Sequence, residues 1–302
     1  MSKGGQDALA RLASFPKPVV AAVHGACLGG GLEFAMACSY RVATDSPKTK
    51  MGLPEVKLGL LPGAGGTQRL PALVGLQQGL TMIMTGKELR AQQAKRAGLV
   101  DQVADPFALR SAAIEAAQGL ASGTLKRKPK KAGLQQMVLE KNPLGRHALF
   151  KIATDNMMKM SGGNYPALPK IIDAVRAGAE GGMKAGLASE AKGFGELTVS
   201  SESAALQGLF FGSTALKKNR FGKPQKKVGK VGVLGAGLMG AGVAEVTANK
   251  GIPVLLKVSH AHAIHFPRRR RALLRVPPCC SQREPRAHAT LTHTSATRWH
   301  GR

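Results

Sequence analysis

KPVVAAVHGACLGGGLEFAMACSYRVATDSPKTKMGLPEVKLGLLPGAGGTQRL, residues 17–70, is the stretch whose reading decides the fold. The apolar run from Val19 to Val23 reads as a buried strand. The Gly29-Gly30-Gly31 triplet breaks it and opens a helical run from Leu32 to about Tyr40. Glycines ending at a helix start make an anion site, because the backbone can approach a ligand closely and the free N–H groups of the first turn point outward. A carbonyl oxygen gaining negative charge suits that spot.

Glu33 falls in this first turn, where the helix dipole and free N–H groups favour the ionised form of a base. Glu55 follows twenty-two residues later in Leu53-Pro54-Glu55-Val56, a setting poor in charge whose burial would favour the protonated form of an acid. Two carboxylates pushed in opposite directions beside a backbone oxyanion pocket form an acid/base constellation. Taken alone, Glu33 also reads as an ordinary first-turn glutamate serving its helix, and Glu55 as a solvated residue after proline.

Downstream, Gly63-Ala64-Gly65-Gly66 is a second glycine loop, with Thr67 as N-cap of a helix from Gln68 and Pro71 confined to its first turn. It lacks the Lys-Ser/Thr ending of a P-loop, so packing near the pocket is the reading preferred over phosphate binding. Helices are expected over Gln77–Met84, Glu88–Ala97 and about Pro106–Leu120, with a short strand at Leu99–Val103. From Leu144 to Gly212 the pattern is helical, broken at Gly162-Gly163, Pro166 and Gly181-Gly182, with Met157, Met158 and Met160 as core filler. A basic connector from Lys217 to Lys230 then precedes a strand, a G-x-G-x-x-G turn on Gly235, Gly237 and Gly240, and a helix, the order of a dinucleotide-binding βαβ unit. The second strand, Ile252 to Leu256, should be followed by an acid for the adenosine ribose, yet Lys257-Val258-Ser259 follows, and no acid occurs between Glu245 and Glu284.

The words HGACLGGGLEFAMAC, GLPEVKLGLLPGAGGTQRLP, YPALPKIIDAV, ASEAKGFGELTVSSESAALQGLFFG and VGVLGAGLMGAGVAEV carry a resemblance. The chain resembles the crotonase (enoyl-CoA hydratase/isomerase) superfamily and, over residues 1–257, the alpha-subunit family of the multifunctional fatty-acid oxidation enzymes, whose mitochondrial form is the trifunctional protein. The resemblance implies an α/β chain in four parts. Residues 1–125 would be the C-terminal part of a crotonase (ββα) hydratase domain, 126–227 a basic loop and helical linker, 228–257 a truncated Rossmann start, and 258–302 a disordered basic tail. It places Glu33 and Glu55 on the two hydratase glutamates, the first deprotonating water for attack at C3 of a trans-2-enoyl-CoA and the second delivering a proton to C2. Gly30 falls on the glycine whose N–H is one half of the oxyanion hole, the other half belonging to an earlier segment absent here. Gly235, Gly237 and Gly240 fall on the NAD-binding glycines of a 3-hydroxyacyl-CoA dehydrogenase part expected to be inactive. The same resemblance implies an acyl-CoA substrate, a thiolase-type beta subunit as partner, and the matrix side of the mitochondrial inner membrane, with no presequence in this chain.

The formal net charge is +27. Nine Arg and one Glu from Val258 to Arg302 contribute +8 of it, leaving +19 on the first 257 residues. Such a surface attracts polyanions: coenzyme A phosphates, anionic lipid or nucleic acid. Nucleic acid is disfavoured, because one Trp and two Tyr give bases little to stack on and no nucleic-acid-binding signature accompanies the charge. The run Lys126–Lys131 reads as a solvated loop, with membrane or coenzyme A phosphate contact as its alternative. Four cysteines fit no disulfide framework, and the six histidines of the tail show no metal-ligand spacing. The rival to catalysis is a fragment acting only in subunit or anionic-membrane association.

Overall fold

The computed structural model describes residues 2–127, 133, 140, 142–218, 220, 222, 226–258 and 287–291. Its contacts divide the chain into two compact units, residues 1–218 and 219–302.

In the first unit, helix α1 (Ser2–Ala13) leads to strand β1 (Val20–Val23) and, after a turn, to strand β2 (Ala26–Leu28). The apolar run Val19–Val23 makes β1, and β2 is a further strand set off from it by the turn at Gly25, whose φ is 79°. Helix α2 (Gly30–Ala37), strand β3 (Tyr40–Thr44), strand β4 (Lys50–Gly52) and a 3-10 helix (Glu55–Leu58) follow. Then come α3 (Gly66–Val74), α4 (Leu76–Thr85), the short strand β5 (Leu89–Arg90) and α5 (Ala91–Ala97). Strand β6 (Gln102–Ala104), α6 (Leu109–Ser122), α7 (Pro143–Ser161), α8 (Ala167–Thr198) and α9 (Ser201–Leu216) complete the unit.

Two small sheets organise these elements. One runs β1-β3-β6 with parallel pairing throughout; the other runs β2-β4-β5, parallel between β2 and β4. Parallel strands need both faces covered. Accordingly β3 is buried along its whole length, and α6 covers Tyr40 and Val42 with Ala112 and Ala116. The helical segment expected as a linker shares the main core: Phe150 of α7 and Ile171, Ile172, Val175 and Leu197 of α8 pack in one cluster with Leu32, Leu53, Leu70 and Ile83. Met157 joins it, whereas Met158 is exposed. The break at Gly181-Gly182 is a kink inside α8, where Gly182 has φ 80°.

Arg41 of β3 is 2% exposed and sits in a closed polar cage. Its Nη2 donates to Asp101 Oδ2 at 2.7 Å, its Nε to the Leu99 carbonyl at 2.8 Å and its Nη1 to the Cys38 carbonyl at 2.9 Å. The other oxygen, Asp101 Oδ1, accepts from Arg127 Nε at 2.7 Å. Arg127 is thus committed to a buried acid and not to a solvated face; Lys128–Lys131 lie outside the described residues. Of the connector from Lys217 to Lys230, residues 219, 221 and 223–225 lie outside the described residues as well.

The second unit, by itself, is β7 (Val231–Leu234), α10 (Leu238–Asn249) and β8 (Val254–Val258), parallel between the strands, around Val233, Ala244, Val254 and Leu256. Most of the tail expected to be disordered lies outside the described residues. Its segment Ala287–Leu291 departs from that expectation by forming β9, antiparallel to β8. An edge strand presents unpaired N–H and C=O groups that a tail of alternating composition can satisfy.

Breaking the Arg41–Asp101 pair strands a buried charge. Asp101→Ala is expected to lower the unfolding free energy by about 3–5 kcal/mol in urea titration, and the apolar double replacement Arg41→Met with Asp101→Leu by clearly less.

Candidate active site

The two glutamates come off the carboxyl ends of paired parallel strands. Register Leu28↔Gly52 aligns the end of β2 with the end of β4, and Gly29 donates its N–H to the Gly52 carbonyl at 3.0 Å. From there one chain turns into α2, with Glu33 in its first turn, and the other enters the 3-10 helix that starts at Glu55. The Glu55 carboxyl lies over Gly29: a β-carbon there would be 3.1 Å from Oε1. This sets Glu55 beside Gly30, which opens α2, is exposed, and has a first-turn N–H that the helix cannot satisfy itself.

Glu33 is buried at 3% exposure, and its Oε1 accepts the N–H of Ala64 at 2.8 Å and of Gly66 at 2.7 Å. Gly66 must be glycine for this, because a β-carbon would stand 2.7 Å from that oxygen. Burial pushes the Glu33 carboxyl up to about 7; the two N–H donors oppose the rise and the Glu190 charge adds to it. Glu55 is also pushed up to about 7, by burial first and then by the charges of Glu33 and Glu190, against its own backbone N–H. Its Oε2 is shielded and has no hydrogen-bond partner among the described residues.

The opposite shifts expected from the sequence are therefore corrected: both groups move upward, because desolvation outweighs the helix dipole at Glu33. The asymmetry lies in hydrogen bonding instead. Glu33 has two donors that favour the anion, and Glu55 has a shielded bare oxygen that favours the acid.

The second glycine loop also differs from expectation. Helix α3 begins at Gly66 with Gly65 as its N-cap, so Thr67 lies inside the first turn and Pro71 inside the helix. The N–H groups from Ala64 to Thr67 are taken by side chains of this chain. Gly65 N donates to Glu190 Oε1 at 2.6 Å, and Thr67 donates to Oε2 through its N–H at 3.1 Å and its hydroxyl at 2.5 Å. Gln6 of α1 donates to the same Oε1 at 2.9 Å, and Arg69 Nη1 to the Ala64 carbonyl at 2.7 Å. Sequence reasoning assigned Glu190 no role. A signal existed: it is a lone acid on α8 between Gly186 and Gly193, and all three are buried. A mainly apolar cavity of about 490 Å³, lined by Leu80, Met84, Leu149 and Leu168 among others, includes neither catalytic candidate.

In the second unit the glycines divide their work as a dinucleotide turn requires. Gly235 takes φ 93° at the turn, Gly237 is open on the side a β-carbon would occupy, and a β-carbon on Gly240 would fall 2.0 Å from the Gly235 carbonyl oxygen. The pyrophosphate part of NAD fits this turn. The ribose part does not, because β8 ends in Lys257 and Val258 and supplies no carboxylate.

A model of the enoyl-CoA hydratase/isomerase family matches residues 1–157. The chain belongs to the enoyl-CoA hydratase/isomerase family. A model of the 3-hydroxyacyl-CoA dehydrogenase NAD-binding domain matches residues 230–273, past the boundary at 257 expected from the sequence. Among curated relatives, the fatty acid oxidation complex subunit alpha of Idiomarina loihiensis is 51% identical over 278 residues, which are 88% of this chain and 38% of the relative. That of Shewanella loihica is 52% identical over 85% of this chain and 36% of its own length. The chain thus spans under two fifths of the length of these relatives. An enoyl-CoA hydratase structure from Bacillus anthracis is 28% identical over 71% of this chain and 66% of its own, with a TM-score of 0.39. The mitochondrial location expected from the resemblance is corrected here: the relatives are from bacteria, which have no such compartment.

Both carboxyls bind their proton more tightly folded than unfolded. Their contribution to stability is full below the ordinary value of 4.5 and is lost as the pH rises through about 7. The unfolding free energy is expected to fall across that window by on the order of 3 kcal/mol for each group, and Glu33→Gln or Glu55→Gln to flatten the slope in pH-dependent urea melts.

Proposed function

We propose that the first unit adds water across the double bond of a trans-2-enoyl-CoA, giving a 3-hydroxyacyl-CoA. The observation that carries this reading is the unequal hydrogen bonding of two shielded carboxyls at the ends of paired parallel strands, the charge of Glu33 raising Glu55. Such a pair shares one proton near neutral pH. Glu33, gripped by two N–H donors, holds the negative charge and takes a proton from water as its oxygen attacks C3. Glu55, with its bare Oε2, holds the shared proton and delivers it to C2. The Gly30 N–H meets the thioester oxygen as the enolate forms, where donated hydrogen bonds strengthen with charge. Coenzyme A enters as part of the substrate.

No dehydrogenase step is assigned, since the strand end that should hold the ribose lacks its acid. A second reading, subunit association, is favoured by the apolar side chains that α9 leaves exposed, Phe210 and Phe211 among them. The relatives are named as subunits of a complex, and a beta subunit would be the partner.

With crotonyl-CoA, Glu33→Gln and Glu55→Gln are each expected to lower kcat by about 10²–10⁴-fold. Equal rates in all three proteins would remove these glutamates from the mechanism. The rate should be bell-shaped in pH about neutrality, because the working state carries one proton between the two groups. Supplied with NAD and a 3-hydroxyacyl-CoA, the same preparation is expected to show no reduced nicotinamide absorbance.

A further inference from the structure

The loop from Gly63 to Thr67 presents four successive N–H groups, and they alternate between two acids. Ala64 and Gly66 donate to Glu33; Gly65 and Thr67 donate to Glu190. Glu33 reaches the loop from α2 and Glu190 from α8, an element 125 residues from Gly65 in the chain. Glu190 is fully buried, and both its oxygens are occupied, Oε1 by Gly65 and Gln6 and Oε2 by the N–H and hydroxyl of Thr67. The charges facing this loop are Glu33 from α2, Glu55 from the 3-10 helix, Arg69 from α3 and Glu190 itself; Gln6 of α1 is neutral.

We propose that Glu190 is a positioning residue for the hydration chemistry: by holding the N–H groups of Gly65 and Thr67 it turns those of Ala64 and Gly66 toward Glu33. This rests on the hydratase reading for its catalytic consequence but not for its geometry. Each peptide group is planar and joined to the next through one α-carbon with only φ and ψ free, so holding alternate N–H groups narrows the directions open to the ones between. Glu190 touches no reacting atom. It acts through the loop, and the loop acts on Glu33, whose carboxylate must keep two donors to remain the charged partner.

The test uses the full chain. The amide proton signals of Ala64 and Gly66 are followed by NMR across pH 5–9 in wild type, Glu190→Ala and Thr67→Val, alongside crotonyl-CoA hydration. In the wild type both signals are expected downfield and to titrate with the Glu33 carboxyl. Glu190→Ala should lose the downfield position and lower kcat on the order of 10²-fold, the cost of a small misplacement, with KM within about threefold. Thr67→Val removes the hydroxyl that donates to Glu190 and accepts from Gln68 Nε2, and should show the same change in smaller measure; Thr67→Ser, which keeps that hydroxyl, should restore it. A folded Glu190→Ala protein whose Ala64 and Gly66 signals stay downfield and titrate as in the wild type overturns the proposal. If that variant does not fold, unchanged signals in Thr67→Val overturn it instead. Absence of hydration in the wild type would sink the hydratase reading alone, because the amide signals still report whether Glu190 orients the loop.

Discussion

Four backbone N–H groups, from Ala64 to Thr67, and the two carboxylates that divide them are what the site depends on. A helix start leaves its first N–H groups without partners, and burying them unsatisfied is costly. This chain meets that need with acids from two distant helices. The same bonds compensate the burial of both carboxyls, so the loop and the acids make each other tolerable in a dry setting.

The solution has an electrostatic consequence. Three glutamates, at positions 33, 55 and 190, lie close enough that each of the first two is raised by a neighbour's charge. Arg69 opposes this only in part, being half-buried and bonded to the Ala64 carbonyl. Desolvation is the leading cause at each of the three acids. Proton affinity is therefore high throughout the cluster, and hydrogen-bond supply decides which oxygen carries charge. Glu55, with a shielded oxygen that no described residue donates to, is the member best suited to give a proton away.

The second unit shows the opposite balance of completeness. Its glycine turn meets each steric requirement of a pyrophosphate site, down to the Gly240 backbone packed against the Gly235 carbonyl. Its second strand ends without the carboxylate that would hold a ribose hydroxyl. Steric permission and polar recognition are separate properties of such a fold, and here only the first is met.

The sequence by itself determined the strand-glycine-helix order around residues 17–70, the family words, the candidate pair Glu33 and Glu55, and the missing acid after Leu256. These are local patterns, set by side-chain periodicity, glycine placement and residue type within a few positions. Only the tertiary structure decided that Glu33 is pushed upward along with Glu55, since desolvation depends on what distant helices cover. It alone brought Glu190 onto Gly65 and Thr67 across 125 residues of chain, and Asp101 onto Arg41. It also moved Thr67 from a cap into a helix turn, because an acid from α8, rather than its own backbone, was the partner its hydroxyl found. Long-range pairing of buried polar groups follows from packing, and packing has no signature at the spacing of a local motif.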